Sequence, residues 1–126
     1  MPNSHVRILL VDDDAGDLRN LCLALESQGF ATSTCDNFDD GVQRLDGESF
    51  DFIVVSQGTH GFEGRKVLNR AMQLNRHLPV LVLTRCMDMP CYLEAMQMGA
   101  IDYLEKPVPA EDLMRFVRAH TGQWTV

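Results

Sequence analysis

Basic residues are scarce in this sequence of 126 residues, where 11 lysines and arginines are outnumbered by 18 aspartates and glutamates and the net charge is −7. Direct nucleic-acid binding is therefore not expected, because it requires a basic surface that offsets the phosphate charge. Long apolar runs are also missing: none approaches the roughly 20 residues of a membrane-spanning helix, and no charged-then-apolar leader opens the chain. We therefore expect a cytoplasmic protein with no membrane segment.

Paired cysteines are absent as well. The chain has four cysteines with no Cys-x-x-Cys spacing among them: Cys22, Cys35, Cys86 and Cys91. Neither a disulfide framework nor a zinc site is expected from this pattern. Internal repeats, low-complexity segments and linkers are missing too, and 126 residues are enough for one ordinary hydrophobic core. The sequence thus predicts one domain.

Five short apolar runs alternate with five segments of helical periodicity. Strands are predicted at Val6–Val11, Phe30–Thr34, Phe52–Val55, Val80–Leu83 and Ile101–Leu104. Helices are predicted over residues 15–28, after a cap at Asp36, from Gly64 to about Asn75, from Pro90 to before Gly99, and from Pro109 to about His120. This alternation with short connections is typical of a three-layer α/β domain with a parallel sheet.

The strand order 2-1-3-4-5 of the flavodoxin-like fold is the commonest for five such strands, and it places a crevice between strands 1 and 3. We expect this domain to cover residues 1–121. Residues 122–126 are then a tail, or the start of a linker to an output domain.

Polar side chains collect where the predicted strands end. Asp12 and Asp13 follow the first strand, Ser56 the third, Thr84 the fourth and Lys106 the fifth. Ligands of open parallel sheets bind at these carboxyl ends. Paired carboxylates suit Mg²⁺, which prefers oxygen ligands, and a lysine with a hydroxyl suits a phosphoryl group.

Four segments resemble the receiver domains of two-component response regulators: ILLVDDD, DFIVV-x-QGTHGFEG, PVLVLT and GAIDYLEKP. The resemblance implies that Asp12 and Asp13 hold Mg²⁺ and that Thr84 follows the phosphoryl group. It also implies that Tyr103 is the switch aromatic and that Lys106 is the invariant lysine, followed by a commonly cis proline. A histidine kinase or another signalling protein is the partner that the resemblance implies.

In the family, an aspartate at the end of the third strand is phosphorylated. The threonine then moves inward, the aromatic side chain rotates, and the face formed by the fourth helix, fifth strand and fifth helix is remodelled for partners. Here the aspartate is replaced by Ser56, which removes the nucleophile and one anionic metal ligand together. We therefore expect Mg²⁺ binding to be weak or absent.

Two further departures surround the same site. Thr59 and His60 stand where the family usually has Met-Pro, and Arg85 follows Thr84 where a small residue is usual. Arg85 is long and always cationic, so we expect it to occupy the pocket and pair with Asp12 or Asp13.

Three functional hypotheses follow. The first is a degenerate receiver without enzymatic activity that acts in regulation, dimerisation or protein interaction. The second is a receiver switched by another input, such as a ligand, a partner or a different modification. The third is a serine hydrolase with Ser56 as nucleophile, although Val54 stands where the nucleophile elbow needs glycine. An engineered aspartate-to-serine change would also give this sequence, but the neighbouring departures favour natural divergence.

A weak homodimer is also expected, through the face formed by the fourth helix, fifth strand and fifth helix. Its predicted apolar members are Met96, Met98, Tyr103 and Phe116, and its predicted charged members are Asp102, Glu105, Arg115 and Arg118. Mixed surfaces of this kind suit self-complementary two-fold contacts.

Overall fold

The computed structural model describes residues 5–122 of the chain. Its strands are β1 (Arg7–Val11), β2 (Ala31–Cys35), β3 (Phe52–Ser56), β4 (Val80–Thr84) and β5 (Asp102–Glu105). Its helices are α1 (Ala15–Glu26), α2 (Phe38–Gly47), α3 (Arg65–Leu74), α4 (Met89–Met98) and α5 (Ala110–Thr121).

The five strands form one parallel sheet in the order β2-β1-β3-β4-β5. This confirms the flavodoxin-like three-layer fold expected from the sequence. Every residue of β3 and β4 is buried, because these central strands are covered by helices on both faces. That is why their sequences are continuous apolar runs without alternation.

The core is divided by the sheet into two clusters. On one face Leu9, Val11 and Ile53 lie among side chains of α2, α3 and α4. On the other face Ile8 and Leu10 lie among side chains of α1 and α5. Successive residues of β1 therefore serve opposite layers, as the two-residue period of a strand requires.

Local details differ from the sequence-based expectations. Asn37, not Asp36, caps α2, since its side chain accepts the amide hydrogen of Asp40 at 2.8 Å. Helical periodicity places Leu74 on the apolar stripe of α3, but its side chain is 47% exposed because α3 ends there. Helix α1 ends two residues before the predicted boundary, at Glu26. The predicted tail lies outside the described residues from position 123 onward.

All four cysteines are free thiols, and only that of Cys35 is fully buried. Cys22, for which the apolar helical pattern around it favours burial, is only half-buried on α1. Over residues 5–122, no helix has the length and apolar character to cross a membrane.

Candidate functional site

The sheet brings its strand ends to one edge. Val11 pairs with Val55, so Asp12 lies next to Ser56, and Thr84 pairs with Glu105, so Lys106 lies beyond it. A tight loop from Gln57 to Gly64 closes behind Ser56, with the Gly64 amide donating to the Gln57 carbonyl at 2.9 Å. The sequence-predicted residues of this edge are thus neighbours in space.

Asp12 and Lys106 form a buried ion pair. The two residues' side chains are 1% and 10% exposed, and Lys106 Nζ lies 2.7 Å from Asp12 Oδ2. The other carboxylate oxygen accepts the Asp14 amide hydrogen at 2.9 Å. Burial raises the pKa of Asp12 above its ordinary value, and the hydrogen bond from Lys106 opposes this rise. Both oxygens of this carboxylate are therefore already engaged.

Lys106 reaches two more acceptors. Its ammonium group is 3.0 Å from Asp17 Oδ2 and 3.3 Å from Ser56 Oγ. Ser56 Oγ also accepts the Gly58 amide hydrogen at 3.3 Å. Both contacts come from donors, so among residues 5–122 the hydrogen bonds of Ser56 Oγ include none to a base that could take the serine proton. This argues against the hydrolase hypothesis.

The second acid of the predicted pair is held elsewhere. Asp13 is exposed, and its Oδ2 accepts hydrogen bonds from the backbone amide and the hydroxyl of Thr59, at 3.2 and 2.8 Å. These two hydrogen bonds tie the loop after β3 to the acidic end of β1.

Arg85 does not pair with Asp12 or Asp13, so that prediction was wrong. Its Nη2 donates to Asp14 at 2.8 Å and to Asp17 at 2.7 Å, and the side chain is 62% exposed. Asp12 is already paired with Lys106, whereas Asp14 Oδ2 and Asp17 Oδ2, at the start of α1, are within reach of Arg85, and Asp17 Oδ2 accepts from Lys106 as well. Arg85 lines a cleft of ≈ 380 Å³ together with Asp17 and Lys106.

Thr84 is buried, and its hydroxyl is turned to the loop that follows β4. Thr84 Oγ1 donates to the Cys86 carbonyl at 2.9 Å and accepts the Cys86 amide hydrogen at 3.2 Å. Both interactions are local, so the hydroxyl is satisfied without a phosphoryl group.

Tyr103 is also buried, with 2% exposure. Its hydroxyl donates to Gln57 Oε1 and accepts the Asp88 amide hydrogen at 3.3 Å. The Tyr92 ring packs edge-on against it at a centroid distance of 5.8 Å. The Lys106–Pro107 peptide is cis, as the resemblance implies.

The donor set does not fit the divalent cation that the family resemblance implies. Mg²⁺ is bound through carboxylates and waters in near-octahedral geometry. Here Asp12 is paired with Lys106, Asp13 with Thr59, and the third position offers only the Ser56 hydroxyl. Nowhere among residues 5–122 do three or more His, Cys, Asp or Glu side chains form a group suited to a metal ion.

The fold and this strand-end geometry can be compared with known proteins. A sequence model described as the response regulator receiver domain matches residues 8–118. The chain belongs to this receiver domain family.

This receiver domain is 32% identical over 116 residues to the transcriptional regulatory protein FixJ of Bradyrhizobium diazoefficiens, covering 92% of the chain and 57% of FixJ. It is 28% identical over 117 residues to the transcriptional regulatory protein GlrR of Escherichia coli, covering 93% of the chain and 26% of GlrR. The chain therefore spans less than two thirds of either curated relative.

Solved structures agree with the assignment. A receiver domain protein from Clostridium thermocellum superposes with a TM-score of 0.85 at 27% identity, over 94% of this receiver domain and 95% of that chain. Full-length FixJ from B. japonicum gives a TM-score of 0.82 at 30% identity, over 96% of this receiver domain and 60% of FixJ.

Sequence reasoning missed two residues of this site. The Asp17 carboxylate accepts hydrogen bonds from both Lys106 and Arg85. The spacing Asp14-x-x-Asp17 at the start of a helix could have predicted where Asp17 lies, because Asp14 caps α1 by accepting the Asp17 amide hydrogen at 2.9 Å. Gln57 binds Tyr103 across 46 positions of sequence. No local sequence pattern predicts a contact between residues so far apart in the chain.

Proposed function

We propose that this receiver domain is degenerate. In this proposal it keeps the receiver fold, is not phosphorylated on aspartate, and acts as a regulatory or protein-interaction module. The observation that carries the proposal is Ser56 at the phosphoacceptor position, where its hydroxyl contacts the Lys106 ammonium at 3.3 Å. A hydroxyl without a base is a poor nucleophile, and Asp12 is committed to Lys106.

The test is phosphoryl transfer from acetyl phosphate with Mg²⁺, followed by intact-mass spectrometry. In a competent receiver an aspartate oxygen attacks the phosphorus, the bond from phosphorus to the acetate oxygen breaks, and the resulting acyl phosphate is removed by hydroxylamine. We expect no labelling of the parent chain. Ser56→Asp should be labelled, because Asp12, Asp13, Thr84 and Lys106 remain.

Arg85 provides the second variant of this test. If Arg85 obstructs entry to the edge, Ser56→Asp alone will stay unlabelled and Ser56→Asp with Arg85→Ala will be labelled. Labelling of the parent at Ser56 would overturn the proposal. If neither variant is labelled, the loop holding Thr59 and Asp13 together has closed the site, which agrees with a fixed-state module.

Weak Mg²⁺ binding is part of the proposal. Both oxygens of Asp12 have hydrogen-bond donors, and Oδ2 of Asp13 is bound by Thr59, so a cation would have to displace existing partners. Calorimetric titration of the parent should show no saturation at low millimolar Mg²⁺, whereas Ser56→Asp should bind more tightly. Tight, saturable binding by the parent would contradict this expectation.

The partners proposed here are signalling proteins, an output domain joined to this receiver domain, and a second copy of the chain. The output domain would connect it to transcription regulation, as in the relatives named above. Receiver domains interact with histidine kinases and output domains, and the chain spans only 57% of FixJ.

For the dimer, the face formed by α4, β5 and α5 offers Met96, Met98 and Phe116, all half-buried. Tyr103, predicted to belong to this surface, is 2% exposed and contributes nothing to it. Sedimentation should detect a weak dimer that Phe116→Asp abolishes and that phosphodonor leaves unchanged. A chain that stays monomeric at high concentration would contradict the dimer.

A further inference from the structure

Gln57 and Tyr103 are joined by a buried hydrogen bond between two uncharged groups. Gln57 is 8% exposed and Tyr103 2% exposed. Since the Asp88 amide donates to the phenol oxygen at 3.3 Å, the phenol hydrogen is free to go to Gln57 Oε1. Burial raises the pKa of Tyr103, so the hydroxyl stays protonated and remains a donor at neutral pH.

The backbone of the acceptor residue is hydrogen-bonded on both sides. The Gln57 amide donates to the Leu83 carbonyl of β4 at 2.7 Å, and the Gln57 carbonyl accepts the Gly64 amide hydrogen at 2.9 Å. The sheet edge and the closure of the loop therefore both position the Gln57 backbone, from which the side-chain oxygen reaches Tyr103.

The other end of the same interaction reaches the start of α4. Asp88 caps this helix by accepting the Cys91 amide hydrogen at 3.1 Å, while its own amide binds Tyr103. Exposed apolar side chains flank this cap: Met87, Met89 and Leu93 are 51%, 65% and 50% exposed. The position of the Tyr103 hydroxyl thus fixes where α4 begins and how these apolar side chains are displayed.

We propose that Gln57 is a positioning residue that holds Tyr103 in its buried orientation, and thereby holds the start of α4 and its exposed apolar side chains in one arrangement without any modification of Ser56. The proposal rests on the proposed function, because it names what keeps the module in a single state. The phenol of Tyr103, the side-chain amide of Gln57 and the backbone amide of Asp88 are all uncharged, so these two hydrogen bonds do not depend on events at the acidic end of the site.

Hydrogen exchange of the Asp88 amide, measured by NMR on the unphosphorylated chain, tests this directly. Gln57→Met keeps the length of the side chain and removes the acceptor, without changing either atom of the Asp88–Tyr103 bond. We expect the Asp88 amide to exchange about tenfold faster, the change expected from losing roughly one buried hydrogen bond. Tyr103→Phe, which deletes the acceptor of that amide, sets the upper limit of the effect.

Gln97→Met is the matched control, since Gln97 is exposed on α4 and its substitution should leave Asp88 unchanged. Exchange of the β4 amides measures global unfolding of the domain. Its change in Gln57→Met should be too small to explain the faster exchange of the Asp88 amide. Unchanged Asp88 exchange in Gln57→Met would overturn the proposal. Exchange of the Asp88 amide in the parent chain at the rate of an unprotected loop amide would also overturn it. That measurement does not depend on any variant folding.

The two proposals fail separately. Phosphoryl labelling of the parent would overturn the degenerate assignment and leave the Asp88 measurement intact. Loss of the Gln57 effect in an unlabelled parent would overturn only the role of Gln57.

Discussion

Ser56 and Tyr103 lie in two regions of the site that are stabilised by different kinds of interaction. At the acidic end, Lys106 is surrounded by Asp12 and Asp17, and the interactions are between full charges. At the aromatic end, Tyr103 is bound by Gln57 and by the Asp88 amide, and every group is neutral. Both ends belong to one sheet edge, yet only at the first do the contacts join charged side chains.

The comparison of the charged and the neutral region indicates that the fold requires its buried charges to be paired, whichever side chain ends β3. With Ser56 at the end of β3, Lys106 is paired with two carboxylates, since Asp17 supplies the second at 3.0 Å. Neither Asp12 nor Lys106 is therefore a buried charge without a partner, which is the condition that would have cost the most. The aromatic end is packed and hydrogen-bonded although β3 ends in a hydroxyl side chain.

A change that displaces both ends at once should have the largest effect. A Cβ atom at Gly64 would lie 2.1 Å from the backbone oxygen of Ser56, so Gly64→Ala must move the loop that holds Ser56 and Gln57. We expect the free energy of unfolding to fall by at least about 4 kcal/mol, in the range reserved for severe backbone clashes. Urea denaturation followed by circular dichroism measures it.

The control is Gly47→Ala, at the end of α2, where an added Cβ meets no atom within 4 Å. Alanine is favoured over glycine inside helices by roughly 0.8–1 kcal/mol, so this variant should be neutral or stabilising. Equal effects of the two substitutions would show that loop closure behind Ser56 is not what the chain depends on.

The acidic end alone should respond to Lys106→Met. This substitution leaves the Asp12 carboxylate, which is 1% exposed, without its 2.7 Å partner. Removing one member of a buried ion pair typically costs about 3–5 kcal/mol, and we expect a loss near the lower value at neutral pH. The exposed pair of Lys66 and Asp39, at 52% and 79% side-chain exposure, offers Lys66→Met as a control with little effect.

The dependence on pH has a definite sign. Asp12 has a folded-state pKa raised by burial, and Lys106→Met removes a cause that lowers it. A raised carboxyl pKa means that the folded state holds its proton more tightly, so stability falls as pH rises from the ordinary value of 3.8 through the folded pKa. The penalty of Lys106→Met should therefore shrink as pH is lowered. A penalty independent of pH would mean that Asp12 is not its source.

The fold and much of this site were predictable from sequence because the signals are local. Apolar runs gave the strands, and the residues directly after them gave the strand-end positions of Asp12, Ser56 and Lys106. The partners were less predictable, since they depend on side-chain directions across the sheet. Asp17 had a spacing signal at the start of α1, whereas the contact of Gln57 with Tyr103 joins the loop after β3 to β5.

Arg85 is another residue whose partners the sequence did not predict. Its substitution should have the smallest effect on stability of those considered. The sequence indicated a long cation near the acid pair but not that Lys106 would already neutralise Asp12, leaving Arg85 to Asp14 and Asp17 on the outer side. Exposed ion pairs contribute little to stability and are screened by salt. Arg85→Ala should therefore leave the urea midpoint within experimental error of the parent, at both low and high salt.

A second measurement on Arg85→Ala tests whether Arg85 pairs with Asp14 at all, since an unchanged urea midpoint is also expected if the ion pair does not form. The hydrogen bond from the Asp17 amide and then that from Arg85 lower the pKa of Asp14, so removing Arg85 should raise that pKa toward its ordinary value. A lowered carboxyl pKa stabilises the folded state above the unfolded pKa, and the stabilisation is lost as pH falls through the folded pKa. Carboxyl NMR titration of Asp14 in parent and variant should show the upward shift. A large loss of stability at neutral pH would mean that Arg85 is engaged more deeply in the site than its 62% exposure indicates. An unmoved Asp14 pKa would mean that Arg85 does not pair with Asp14 in solution.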